Sequence, residues 1–295
     1  MERTWGTGLI DIRLRSKISE KELEQKIGKI LTENDYNILI TKDTTVRFPN
    51  GKVGAIYLKE VIPEKLADDS YEVLHSLKSQ QTSNRGMASG LPRLKRGSGG
   101  TRTDTAKSIA SAIIGNLDPV GMQQYCRLTA FSAKEFDKYE SLFPLFVFIG
   151  EQMKEYAPER YNAQMEFVNR THKDWVIPNT PFTTITVNNS YPTGVHTDKG
   201  DLDEGISTLA CIKKGDCQGG YLVLPEYRIA FKMGDRDLLI FDAHQYHGNT
   251  QLEMNTDDAE RISIVSYYRT KMEECESAAD EYEKRLNYAE RKIKQ

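Results

Sequence analysis

Long apolar runs are missing from this 295-residue sequence. The most apolar stretch, LFPLFVFIG at 142–150, is too short to span a bilayer and contains Pro144. The opening MERTWGTGLIDIRLRS has no signal-peptide stretch, so a cytoplasmic protein without membrane contact is expected. Cysteine is scarce: Cys126, Cys211, Cys217 and Cys275 are the only four, and no two stand as Cys-x-x-Cys. That argues against a disulfide framework or a zinc knuckle, and reduced thiols are expected. A strong charge of either sign is also missing, since the net charge is −3. Any affinity for nucleic acid must therefore come from a local patch. There is no evident repeat of a few tens of residues.

Charged residues make up 28% of the chain and the mean hydropathy is −0.58, as in a soluble protein with a polar surface. The length allows one large domain or two ordinary ones, with a substantial core in either case. No obvious linker appears, so a single domain over 1–295 is expected: a mainly helical support over 1–180, a strand-rich core over 181–270 and a helix over 271–295. In the first part, Leu23, Ile27 and Ile30 recur at helical spacing over 19–33, with Ser19 as N-cap. YNILIT and VGAIYLKEV look like strands around an FPNGK turn, and Leu66, Tyr71, Leu74 and Leu77 group on one side of a helix over 63–79. From 105 to 170 the pattern reads as helical, with Phe136, Tyr139 and Phe143 as a core stripe and Pro144 opening a helix.

Residues 81–107 lose this periodicity. Arg85, Arg93, Lys95, Arg96, Arg102 and Lys107 face the single acid Asp104, among Gly97, Gly99 and Gly100. Composition alone is met by a solvated loop. The sharper reading is a loop that contacts phosphates, because glycine permits close approach and arginine supplies forked donors.

From 182 to 269 short β-branched and aromatic runs alternate with Gly, Asp and Pro, which suggests an antiparallel sandwich or jelly roll. Three of the five histidines (His75, His172, His196, His244, His247) fall there. Residues i and i+2 of a strand share a face, so His196 and Asp198 can point together. Alone, His-x-Asp is as readily a chance pairing. A second histidine from another strand would complete two His and one carboxylate, the facial set of non-haem Fe(II) oxygenases. GDRDLLIFDAHQYHGNT supplies His247 before a glycine, with His244 as its rival. RISIVSYY then places Arg261 and Ser263 on one face, where a guanidinium fork beside a hydroxyl suits a carboxylate.

H-x-D, then GD…LLIF…HG, then R-x-S over about 185–270 resembles the 2-oxoglutarate, Fe(II)-dependent dioxygenases. That resemblance implies an α+β fold with a double-stranded β-helix (jelly-roll) core braced by helices. It implies iron held by His196, Asp198 and His247, and 2-oxoglutarate and O2 as co-substrates. Arg261 and Ser263 would bind the C5 carboxylate of 2-oxoglutarate. The Gly-following position favours His247 over His244, which would shape the turn. HTDKGDLDEGISTLACIKKGDCQGGYLVLPEYRIAF, with the upstream NRGMASG, is similar to the ten-eleven-translocation and J-binding-protein branch, phage-encoded members included.

Members of that branch oxidise the 5-methyl group of a pyrimidine in DNA, which implies a DNA partner, a flipped base and a monomeric enzyme. Arg85, Arg93, Lys95, Arg96 and Arg102 then become the candidates for DNA contact. 5-Methylcytosine stands first as substrate and thymine second, with a protein or small-molecule hydroxylase of the same core as a further alternative. Asp201, three after the metal Asp, would read the base or cap the turn with Asp203 and Glu204. Asn188 and Asn189, just before the His-x-Asp turn, would contact co-substrate and base, or hold the turn by side-chain hydrogen bonds.

Overall fold

The computed structural model describes residues 3–5, 9–15, 17–82, 88, 109–121 and 123–293. The first part supplies β1 (Arg3–Trp5), β2 (Leu9–Arg13), α1 (Glu20–Glu24), β3 (Ile38–Ile40), β4 (Thr44–Arg47), β5 (Val53–Leu58), α2 (Glu64–Ser76) and β6 (Gln81–Thr82). A long strand β7 (Ile109–Leu117) and a short β8 (Arg127–Leu128) precede four helices, α3 (Ala130–Lys134), α4 (Phe136–Glu140), α5 (Phe143–Tyr156) and α6 (Pro158–Arg170). Strands then dominate: β9 (Thr184–Asn189), β10 (Ser207–Lys214), β11 (Cys217–Gly219), β12 (Leu222–Leu224), β13 (Ile229–Phe231) and β14 (Leu238–Phe241). After β15 (Gly248–Asn249), β16 (Leu252–Met254) and β17 (Glu260–Tyr267), the chain ends on α7 (Ala278–Ile293).

The largest sheet runs β1-β2-β4-β5-β14-β10-β17-β9-β7-β6, with β8 also on β7. A second sheet runs β15-β12-β13-β3, and β11 pairs with β16 as a ribbon. Among the described residues, neither of these two sheets closes on itself. The jelly-roll core is therefore corrected to an α+β fold of open, mixed sheets. N-terminal strands extend the sheets: β5 pairs with β14, β3 lies parallel to β13, and β2 parallel to β4.

Period-two alternation divides the two cores. One side of the large sheet presents Ile185, Val187, Ala210, Ile212, Ile262 and Ile264 to α2 and α5, where Leu74, Leu77, Phe146, Ile149 and Met153 are fully buried. Pro144 opens α5, where a missing N–H costs no helical bond. The other side, with Tyr57, Leu209, Cys211, Leu239 and Phe241, packs on Leu222, Leu224, Ile229 and Phe231 of the second sheet. The space between the sheets opens into the cavity described below.

Three local expectations change. The Ser19-capped helix ends at Glu24, because Gly28 takes φ 76° and the chain beyond it pairs with Val195 and Thr250. Residues 109–117 form a strand instead of a helix; packed into the sheet and mostly buried, they lose polar alternation. Cys126 and Cys275 are joined in a disulfide with Cα atoms 5.8 Å apart, while Cys211 and Cys217 are free thiols. The chain after β17 folds back beside β8, which brings two cysteines 149 residues apart into reach. No helix among the described residues is long and apolar enough to cross a membrane.

Candidate active site

After β9 the chain turns at Ser190 (φ 50°) and runs back as an extended segment toward His196. His196 and His247 face each other across an antiparallel bridge, with both backbone N–H···O=C bonds at 2.9 Å. The approach is close: a Cβ on Gly248 would stand 2.9 Å from the Val195 nitrogen. This is why glycine follows His247. Residues 27–31 lie against both arms, through Gly28 N to Val195 O, Val195 N to Lys29 O and Leu31 N to Asn249 O. Buried Asn249 ties the arms together. Its Oδ1 accepts from Thr193 N (3.0 Å) and Thr193 Oγ1 (2.8 Å), and its Nδ2 donates to Gly220 O (3.2 Å) and Tyr221 O (3.4 Å).

The bridge sets two imidazoles side by side, with ring centroids 4.4 Å apart, and Asp198 closes the set. One ligand atom from each of His196, Asp198 and His247 lies within 4.8 Å of the others. Asp198 Oδ1 is 3.4 Å from His196 Nε2 and its Oδ2 is 3.6 Å from His247 Nε2. Each Nδ1 meets a backbone carbonyl, Gly194 O at 2.8 Å and Gln245 O at 2.9 Å. A carbonyl only accepts, so Nδ1 carries the proton and the Nε2 lone pairs point inward. Burial, then the His196 charge, push the His247 pKa down to about 4, so it stays a neutral ligand at ordinary pH. Two nitrogens and one carboxylate on one face fit Fe(II) with positions left open for co-substrates.

His244 is committed elsewhere. It bonds Asp242 through Nδ1 (3.0 Å) and Asp201 O through Nε2 (3.3 Å), with Asp203 Oδ1 at 3.2 Å. The Asp242 hydrogen bond is the main force raising its pKa to about 9, so a cation forms the turn while His247 joins the metal set.

The three ligands share a cavity of about 560 Å³ with Thr186, Asn188, Leu209, Phe241 and Ser263. Arg261, only 1% exposed, lies behind Ser263. Its Nη1 donates to Ser263 Oγ at 2.7 Å, while Nε and Nη2 are buried without a partner among the described residues. Two forked donors of a desolvated cation left open call for a bidentate anion. Gly220 keeps that guanidinium uncovered on one side, since a Cβ there would be 3.4 Å from Arg261 Nε.

Asn188 reaches the cavity, its Oδ1 accepting from Ser111 Oγ. Asn189 does not: it points to the opposite face and donates to Leu74 O. Asp201 is buried at the cavity wall and accepts from Ser207 Oγ at 2.7 Å. Burial, then the Asp198 charge, raise its pKa well above the usual carboxylate range. Asp203 and Glu204 are exposed turn residues. Arg85, Arg93, Lys95, Arg96 and Arg102 lie outside the described residues; nearby Ala88 lines the cavity, and its carbonyl accepts from Gly194 N and Tyr191 OH.

Sequence reasoning missed two features: the Asn249 clamp, and Arg269, which lines the cavity bonded to Asp118. Arg269 was within reach of the same logic, since 261, 263, 265 and 267 share one face of β17 and 269 continues the alternation just past its end.

The Tet/JBP family model, the oxygenase domain of the 2OGFeDO superfamily, matches residues 116–270, which hold all three ligands and Arg261. The chain belongs to the Tet/JBP family. Thymine dioxygenase JBP1 of Leishmania braziliensis is 33% identical over 247 residues, covering 82% of this chain and 28% of that protein. Thymine dioxygenase JBP1 of Crithidia fasciculata is 32% identical over 263 residues, covering 88% of this chain and 30% of that protein. This Tet/JBP oxygenase domain thus spans under a third of these relatives' length. Among solved structures, NgTET1 in complex with 5mC DNA has the same fold, with a TM-score of 0.57, 17% identity and coverage of 87% of this chain and 93% of that one.

Proposed function

We propose that this Tet/JBP domain hydroxylates the 5-methyl group of thymine in DNA, with Fe(II), 2-oxoglutarate and O2. The observation that carries the oxygenase chemistry is one cavity holding the His196–Asp198–His247 set and Ser263, whose hydroxyl accepts from buried Arg261 with two donors unpaired among the described residues. Bound iron would supply the chemistry by which O2 oxidises both partners, 2-oxoglutarate to succinate and CO2 and the 5-methyl group to a hydroxymethyl group, one oxygen atom going to each. His196, Asp198 and His247 hold the metal from one side and keep its other positions free. Arg261 and Ser263 take the far carboxylate of 2-oxoglutarate, and Asn188 adds a polar contact beside it. Leu209, Phe241 and Val265 line the cavity and exclude water from the reacting centre.

Thymine moves ahead of 5-methylcytosine because the relatives aligned over most of this chain are thymine dioxygenases. The NgTET1 likeness supports the fold and leaves the base open. Arg85, Arg93, Lys95, Arg96 and Arg102 contact the DNA backbone in this reading, and the target base is flipped into the cavity of a monomeric enzyme. The test is mass spectrometry of nucleosides after incubating the protein with Fe(II), 2-oxoglutarate and DNA containing thymine and 5-methylcytosine. 5-Hydroxymethyluracil is the expected product, lost together with succinate release in His196→Ala. 5-Hydroxymethylcytosine alone would reverse the choice of base, and succinate release without an oxidised nucleoside would remove DNA as substrate.

A further inference from the structure

Beyond the metal ligands, the cavity wall carries a partly buried ion pair that the proposed chemistry has not used. Arg269 Nε donates to Asp118 Oδ1 at 2.6 Å, and Asp118 is 5% exposed just past the end of β7. The backbone fixes where this pair stands. Arg269 is bridged to Asp201, with Leu202 N donating to Tyr268 O at 3.0 Å and Thr270 N to Gly200 O at 3.1 Å. Since Asp201 is three residues past the ligand Asp198, the guanidinium belongs to the cavity wall adjoining the metal set. An ion pair largely withdrawn from water adds little stability over packed apolar side chains. A mere tie between strand ends would not require one, least of all one facing a cavity.

The chemistry of the methyl group says what would meet it. A 5-methyl group must face the metal to react. The substituent on the adjacent ring carbon, C4, is then the polar group of the base nearest the metal. In thymine it is a carbonyl oxygen, which accepts; in 5-methylcytosine it is an amine, which donates. We infer that Arg269, held by Asp118, donates to the C4 oxygen of thymine and selects thymine over 5-methylcytosine. Against the amine the guanidinium sets donor against donor in a partly desolvated wall. The inference rests on the proposed DNA reaction and deepens it.

The test compares thymine and 5-methylcytosine hydroxylation by one preparation of each protein, on duplexes differing only in the target base. Arg269→Gln offers both a donor and an acceptor, so the thymine preference should fall by about 10- to 100-fold, the size of one hydrogen bond to a charged group. Asp118→Asn leaves the guanidinium unfixed. It should lower the same ratio and raise KM for the thymine duplex, and it serves as the second variant should Arg269→Gln melt early. An equal loss on both bases would make the pair a structural tie and overturn the inference, as would an unchanged ratio. A wild-type protein that releases succinate but oxidises neither base overturns the DNA reading and this inference with it.

Discussion

Arg261→Ala tests the proposed co-substrate site most sharply. Arg261 is 1% exposed, and among the described residues only its Nη1 has a partner, Ser263 Oγ at 2.7 Å. Nε and Nη2 stand buried and open, so a bound carboxylate gains two charge-assisted hydrogen bonds. At about 1.5–3 kcal/mol each, the pair contributes about 3–6 kcal/mol. That is roughly a 10²- to 10⁴-fold loss of 2-oxoglutarate affinity at about 1.4 kcal/mol per tenfold. Arg261→Lys keeps the charge but replaces the fork with a point donor on a different stem, and should restore about half of that energy. The assay is the 2-oxoglutarate dependence of succinate release, with Mn(II) affinity measured alongside by electron paramagnetic resonance. KM for 2-oxoglutarate should rise while the metal affinity holds. A folded Arg261→Ala protein with KM within about twofold of wild type would refute the assignment, because no uniform binding would have been lost.

Three further outcomes follow from the same geometry. Asn249→Ala should destabilise the protein by about 3 kcal/mol, since it removes the acceptor of Thr193 N–H and Oγ1 and the side-chain donor to Gly220 O, while Tyr221 O keeps Thr250 N–H; denaturant unfolding and Mn(II) titration should both register the loss. Gly248→Ala forces a Cβ to 2.9 Å from Val195 N and 3.0 Å from its Cα, so the His196–His247 bridge must open and metal affinity should fall by at least about tenfold, read by the same titration. His244 has its pKa raised to about 9 from 6.5, so its pairing with Asp242 stabilises the fold fully below pH 6.5 and is lost as pH rises through 9. Thermal melting across that window should show the decline, and His244→Gln should flatten it.

Local patterns carried the metal set. His196 and Asp198 are two apart on an extended segment, and Arg261 and Ser263 are two apart on β17, where they share a face and touch. The aromatic and leucine stripes over 63–79 and 136–156 were legible for the same reason, as one-sided burial imposes a 3.6-residue period. The strand at 109–117 was not legible, because packing within the sheet erased its alternation. The helix from Ser19 was overextended because residues 27–31 gain more from pairing with distant Val195 and Thr250 than from another helical turn.

By itself, the sequence determined the ligand types, their order and the strand-face register of Arg261 with Ser263, since these depend on residue chemistry and short-range geometry. Tertiary structure decided between His247 and His244, by bridging one to His196 and tying the other to Asp242. It turned Asn189 away from the cavity, left the two sheets open, joined Cys126 to Cys275 and set Arg269 against Asp118. Each of these depends on which distant segments pair, and pairing is chosen by the burial of the whole chain, which no short window of sequence contains.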